Sequence, residues 1–255
     1  DALMGLVARR VSDREMLKLV RSWLRVGVLE DGVIADGESG TPQGSPISPL
    51  LANVALHVLD VEWTTKSGGL GVLVRYADDL VILCASRARA EEALRRVTAI
   101  LAPLGLRLNP GKTRIVCLTQ GKEGFFFLGF HNHKVQSKKW PGRWYLQRWP
   151  SERAMRSIRS KVKDATDRRH VGRPVEAVVG QLNRTLAGWA NYFRWGNSAK
   201  KFWDVDQYVY ERLEKFLQAK HGPRGHFGRR RFHAVYPRLR VYRLSGRQRL
   251  GHVHA

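Results

Sequence analysis

Arg75-Tyr76-Ala77-Asp78-Asp79-Leu80 sits between two apolar runs, Val72-Leu73-Val74 before it and Val81-Ile82-Leu83-Cys84 after it. Short apolar runs rich in β-branched residues on either side of a polar break predict two strands joined by a tight turn. In a strand, neighbouring side chains point to opposite faces, so Asp78 and Asp79 cannot both belong to a core. At the tip of a hairpin both can approach one polar cleft. Adjacent carboxylates repel, and a divalent cation is the usual relief for that repulsion. A plain Asp-Asp turn with no metal is common and also compatible with the tetrapeptide alone.

Working outward, residues 3–28 carry apolar residues at helical spacing, with Ser12 and Glu15 placed as a capping box between two helices. Residues 28–38 read as a short hairpin and 40–46 as a turn-rich loop, after which Pro46 and Pro49 frame the start of another helix. An amphipathic helix is expected over 87–103, ended by Pro103 and Gly105. Leu106 to Leu118 reads as strand, turn and strand about Asn109-Pro110-Gly111, and Phe125 to Phe130 as one short aromatic strand. Residues 134–150 are rich in Lys, Arg, Trp and Pro and read as a connector. Three helices follow over 151–169, 174–195 and 199–220, separated by Gly172-Arg173-Pro174 and Gly196-Asn197-Ser198. The expected class is therefore α+β, with mixed elements at residues 1–133, a connector at 134–150, a helical domain at 151–221 and a basic tail at 222–255, whose order the composition leaves undecided.

Charge separates the halves. The chain of 255 residues carries 45 Lys and Arg against 22 Asp and Glu, a net of +23. Residues 1–139 hold 19 basic and 14 acidic residues, whereas 140–255 hold 26 and 8. A polyanion is the natural partner, and the second half should supply most of the affinity. An anionic membrane fits less well, because the cations are interleaved with Trp, Tyr and Phe over several segments instead of lining one amphipathic helix. No apolar run is long enough to span a bilayer. Cys84 and Cys117 each lie in an apolar run and read as small core residues. A reducing cytoplasm of bacterial type, at the nucleoid, is the expected location. His131-Asn132-His133 has no cysteine pairs around it to build a nuclease site, Gly105 to Lys112 has five residues where a phosphate loop needs four, and Asp204-Val205-Asp206 reads as a solvated helix face.

Tyr-x-Asp-Asp between strands resembles the palm motif of reverse transcriptases. Thr41-Pro42-Gln43-Gly44-Ser45-Pro46 through Asn53 resembles that family's nucleotide-pocket motif, and Leu104-Gly105-Leu106 through Lys112-Thr113 the motif that follows the catalytic hairpin. Phe126-Phe127-Leu128-Gly129-Phe130 resembles the primer grip. Leu186-Ala187-Gly188-Trp189-Ala190-Asn191-Tyr192-Phe193, with Gly196-Asn197-Ser198, is similar to the thumb, or maturase, region of group II intron proteins. Together these motifs point to the intron class, with part of a right-hand palm followed by a helical thumb.

The resemblance implies an RNA-directed DNA polymerase using Mg2+, with Asp78 as the principal metal ligand and Asp79 shaping the site. It implies that Gln43, Gly44 and Lys112 meet the dNTP, that Leu128 and Gly129 hold the DNA primer, and that RNA is the template and intron ligand. Trp189, Tyr192 and Phe193 are expected to pack helices, leaving Arg184, Arg194, Lys200 and Lys201 for RNA phosphate and 2′-hydroxyl groups. The family's third carboxylate lies on an earlier strand, and none of Asp1, Asp13, Glu15, Glu30, Asp31, Asp36 and Glu38 sits in an apolar strand followed by Phe. This polypeptide alone is therefore expected not to extend a primer, and to leave apolar surface beside the hairpin uncovered. The competing expectation is an RNA-binding splicing cofactor without polymerase activity.

Overall fold

A computed structural model describes residues 2–25, 28–30, 33–35, 47–222 and 228–245. The chain divides into two compact units, residues 1–115 and 116–255.

In the first unit, α1 (Ala2–Ala8) and α2 (Arg14–Arg25) are followed by strands β1 (Val28–Glu30) and β2 (Val33–Ala35), paired antiparallel. The capping expectation at Ser12 is off by one residue. Asp13 is the cap: its carboxylate accepts from the Glu15 and Met16 backbone amides at 2.8 and 3.1 Å, satisfying N–H groups that the first helical turn leaves open. Helix α3 (Ser48–Glu62) carries Pro49 in its first turn, where a missing N–H costs nothing. Strands β3 (Val72–Tyr76) and β4 (Asp79–Leu83) form the expected hairpin. Helix α4 (Arg87–Leu101) starts at Ser86, whose hydroxyl accepts from the Arg89 amide. Leu59, Trp63, Ala93, Val97 and Leu101 form one buried cluster, to which β3 and β4 turn Leu73, Leu80 and Ile82. Val7, Val20 and Leu51 form a separate one.

Residues 106–118 form no strand. The turn is where the sequence put it, with the Asn109 side chain accepting from Gly111 N–H and its carbonyl from Lys112 and Thr113, but the flanking residues pair with nothing in a ladder. Leu106 and Ile115 are correspondingly exposed.

The second unit opens with a three-stranded antiparallel sheet: β5 (Gly124–Phe127), β6 (Phe130–Gln136) and β7 (Trp144–Pro150). The single aromatic strand expected over 125–130 is in fact a hairpin turning at Leu128-Gly129. Residues 134–150, expected as a connector, supply the end of β6 and all of β7, so position 133 falls inside a strand. The three helices form where their periodicity placed them, as α5 (Glu152–Ala165), α6 (Val175–Phe193) and α7 (Ala199–His221). The tail is ordered over 228–245 and contributes α8 (Arg229–Val235). Phe232, Tyr236 and Leu244 join Ile158, Leu182, Leu186, Phe202 and Leu213 in one large buried cluster. The fold as a whole is α+β, helices with small antiparallel sheets. Among the described residues no helix is long and apolar enough to cross a membrane.

Candidate functional site

The β3–β4 register pairs Tyr76 with Asp79, which leaves Ala77 and Asp78 as a two-residue loop. Ala77 has φ 52°, a left-handed conformation that costs an alanine roughly 1–2 kcal/mol. The loop is braced from behind. Arg75, on the inner face of β3, donates from Nη1 to the Ala77 carbonyl at 2.8 Å and to Asn53 Oδ1 at 3.0 Å. Its Nε donates to Asp60 Oδ1 at 2.8 Å and its Nη2 to Asp60 Oδ2, a two-pronged pairing of guanidinium and carboxylate. One arginine thus ties the turn to two positions on α3. Its hydrogen bonds hold the Asp60 carboxyl below the usual aspartate range, and Asp60 in turn raises Arg75.

Asp78 and Asp79 are both exposed. Alternation puts Asp79 on the outer face with Tyr76, Val74 and Val72, which are 66, 41 and 64% exposed, as is Leu83 at 48%. An uncovered apolar face beside the acids agrees with the sequence expectation. Two adjacent carboxylates offer hard oxygen donors of the kind Mg2+ takes. Among the described residues no group of three or more His, Cys, Asp and Glu is gathered to hold a metal.

Gln43 and Gly44 lie outside the described residues. Lys112 is exposed and closes the Asn109 turn through its backbone amide. Leu128 and Gly129 belong to the second unit. Both have positive φ, 48° and 75°, as a two-residue hairpin loop of this hand requires. Glycine adopts that shape freely, whereas leucine does so at a cost. The turn is secured by neighbours: Tyr192 Oη donates to the Leu128 carbonyl at 3.0 Å, the Ser151 amide donates to the Gly129 carbonyl at 2.9 Å, and Phe193 packs on Phe130 at 4.8 Å between ring centres. Tyr192, expected only to pack, is therefore half exposed and positions the turn.

Of the four cations assigned to RNA, Arg184 and Lys200 are exposed on α6 and α7. Lys201 is paired with Glu152 at 2.6 Å and holds that carboxyl below its usual range. Arg194 lies over the Trp195 ring at 4.8 Å. The loop after α6 meets β7: Asn197 N–H donates to the Arg148 carbonyl at 2.6 Å, Arg148 N–H donates to Asn197 Oδ1 at 3.3 Å, and the Arg148 guanidinium donates to the Trp195 carbonyl at 3.1 Å. A Cβ on Gly196 would come within 2.6 Å of the Arg148 carbonyl, so only glycine fits there.

Asn183 and Asp206 have roles that the sequence did not disclose. Asn183 donates to the Arg240 carbonyl at 3.0 Å and accepts from Tyr242 N–H at 2.7 Å. Asp206 is no solvated face: it accepts from Leu244 N–H, Ser245 N–H and Ser245 Oγ at 2.9, 2.9 and 2.6 Å. Both hold the tail against the helices. Polar residues spaced along otherwise apolar helix faces were the available signal, and it did not reveal a partner some forty to sixty residues away.

Comparison with known proteins agrees with the geometry. The family described as reverse transcriptase (RNA-dependent DNA polymerase) matches residues 7–132, and the group II intron, maturase-specific domain matches residues 155–233. An uncharacterized 91 kDa protein in a cob intron of Schizosaccharomyces pombe is 24% identical over 79% of this chain and 34% of its own length. Protein YkfC of Escherichia coli is 30% identical over 54% of this chain and 43% of its own. The group II intron-encoded protein LtrA of Lactococcus lactis is 45% identical over 23% of this chain and 10% of its own. The chain thus spans less than half the length of these relatives. With a polymerase match and an intron-maturase match in sequence on one polypeptide, the chain belongs to the group II intron reverse transcriptase and maturase family.

Proposed function

We propose that this chain serves RNA-directed DNA synthesis of the group II intron type and binds structured intron RNA. The observation that carries the reading is the braced hairpin, which displays Asp78 and Asp79 together at an exposed tip. Asp78 is the principal ligand for Mg2+, and Asp79 shapes the site beside it. When bound, the metal neutralises charge on the oxygens of the attacking primer and the leaving pyrophosphate. Arg75 keeps the turn in one geometry without approaching the reacting atoms. Gln43, Gly44 and Lys112 meet the dNTP, the lysine as a charge stabiliser. Leu128 and Gly129 position the DNA primer, with Tyr192 fixing their turn. Arg184, Lys200 and, in smaller measure, Arg194 and the paired Lys201 contact RNA. Such work places the protein with nucleic acid in the bacterial cytoplasm.

The metal site is tested by loading Fe2+ in place of Mg2+ and generating hydroxyl radicals, which cut the chain beside the bound ion. Cleavage near residue 78 that Mg2+ competes away, and that disappears in Asp78→Ala, is the expected result. Uniform or absent cleavage would remove the hairpin as a metal site. Primer extension on an RNA template well above that of the same Asp78→Ala control would favour the polymerase and overturn the expectation that this polypeptide alone does not extend a primer. Salt-dependent binding of a structured intron RNA with no extension fits the splicing cofactor.

A further inference from the structure

The β6–β7 hairpin reaches its tip at residues 137–143, a segment that the functional reading leaves without a role. The tip is shaped by its own hydrogen bonds. Ser137 N–H donates to the Arg143 carbonyl at 2.8 Å, Trp140 N–H to Ser137 Oγ at 3.0 Å, and Arg143 N–H to the Trp140 carbonyl at 3.2 Å. Trp140 is 52% exposed, a large share for a residue of that size. Lys139 Nζ lies 5.5 Å and the Arg143 guanidinium 5.6 Å from the centre of its ring. Lys138 is exposed beside them. From Gly124 to Ser151 the chain has five Lys and Arg and no acid. On the strand behind the tip, Tyr145 and Leu146 are 46 and 55% exposed.

An aromatic ring held in water by a closed turn, with cations gathered about it and no acid in the same stretch of chain, joins the two components that bind unpaired nucleic acid. The cations meet phosphates, and the indole offers a face on which a base stacks. Packing does not account for Trp140, whose ring enters no buried cluster. An anionic membrane would call for apolar side chains in greater number on one face of an amphipathic helix, which a seven-residue turn does not supply.

We infer that the β6–β7 tip is a second RNA contact, with Trp140 stacking on an unpaired base and Lys138, Lys139 and Arg143 engaging the flanking phosphates. The inference rests on the reading that this chain binds RNA, and it assigns part of that binding to the sheet instead of the helices.

The test measures binding of the full 255-residue chain to a fluorescein-labelled RNA stem–loop by anisotropy over a sodium chloride series. Trp140→Ala should weaken binding about ten-fold with the salt slope unchanged, and Trp140→Phe should recover most of the loss. Replacing Lys138, Lys139 and Arg143 together by Ser should lower the salt slope by about 2. All four side chains are exposed, so thermal melting should not move. A 4-thiouridine in the RNA loop should crosslink to residues 137–143 of the unaltered chain, a readout that needs no variant to fold. Tip variants that bind with the parent's affinity and slope, or crosslinks that fall only elsewhere, would overturn the inference while leaving RNA binding intact. Loss of binding to phosphatidylserine vesicles with RNA affinity unchanged would reassign the tip to a membrane. A parent chain that binds no RNA would overturn both this inference and the reading beneath it.

Discussion

The two units solve opposite problems. Among the described residues, the first buries apolar side chains in two separate clusters of three and five, and leaves Val72, Val74, Tyr76 and Leu83 open to water on the face that carries Asp79. The second gathers nineteen into one cluster spanning α5 to the tail. The hairpin of the first is held by a polar device, the four-way grip of Arg75, because hydrophobic burial on one side of a two-stranded sheet does not fix a turn. The second holds its shape by burial, and is free to spend its surface on charge.

If that contrast is right, the largest effect comes from the deep cluster. Phe202→Ala, at a fully buried position, should cost about 3–5 kcal/mol in urea melts and lower amide protection across α5 to α8 while β3 and β4 stay as they were. Equal loss in both units would break the contrast. Asp206→Ala should cost roughly 2 kcal/mol, since two backbone amides and a hydroxyl lose a charged acceptor; the Leu244 and Ser245 amides should then exchange freely, and continued protection would show that burial alone seats the tail. Arg75→Lys should cost about 1–2 kcal/mol, because lysine keeps the charge and loses the fork. The pH dependence adds a sign. Asp60 is held below its ordinary value, so its contribution is present above the usual aspartate range and fades as pH falls through the lowered one. Arg75→Gln should flatten that acid-side loss, and an unchanged slope would mean the pair does not stabilise the hairpin. Smallest is Val72→Thr, expected within about 0.5 kcal/mol for a side chain 64% exposed. A cost well beyond this would reveal that the outer face is covered in solution.

What could be read in the sequence follows the range of the interactions. The β3–β4 hairpin was legible because Val72–Tyr76 and Asp79–Leu83 are local, apolar and interrupted by acids. The helices α5 to α7 were legible from periodicity and from the breaks at Gly172 and Gly196 between them. The Leu128-Gly129 turn was not, because leucine is a poor choice at positive φ and its partners, Ser151 and Tyr192, come from elsewhere in the chain. The connector hid a strand because Gln147, Arg148 and Pro150 mask alternation on β7. Residues 106–118 misled in the other direction, with strand-forming residues that join no ladder. At the site, Asp78 and Asp79 declared themselves by adjacency, whereas nothing in the sequence tied Arg75 to Asp60, fifteen residues away. The basic tail read as composition alone, and its order over 228–245 follows from burial of Phe232, Tyr236 and Leu244 together with the hydrogen bonds of Asn183 and Asp206.

The Asn197 contact with Arg148 has a consequence for solubility. The outer side of β7 is a row of backbone donors and acceptors that another chain's strand can extend. Asn197 answers the Arg148 amide with its side-chain oxygen and the Arg148 carbonyl with its own amide, in the way one residue of a fourth strand would. One asparagine between two helices thus works as a stopper on an open sheet, and an Asn197→Ala chain should be prone to grow end on end through β7 before it loses any of its helical core.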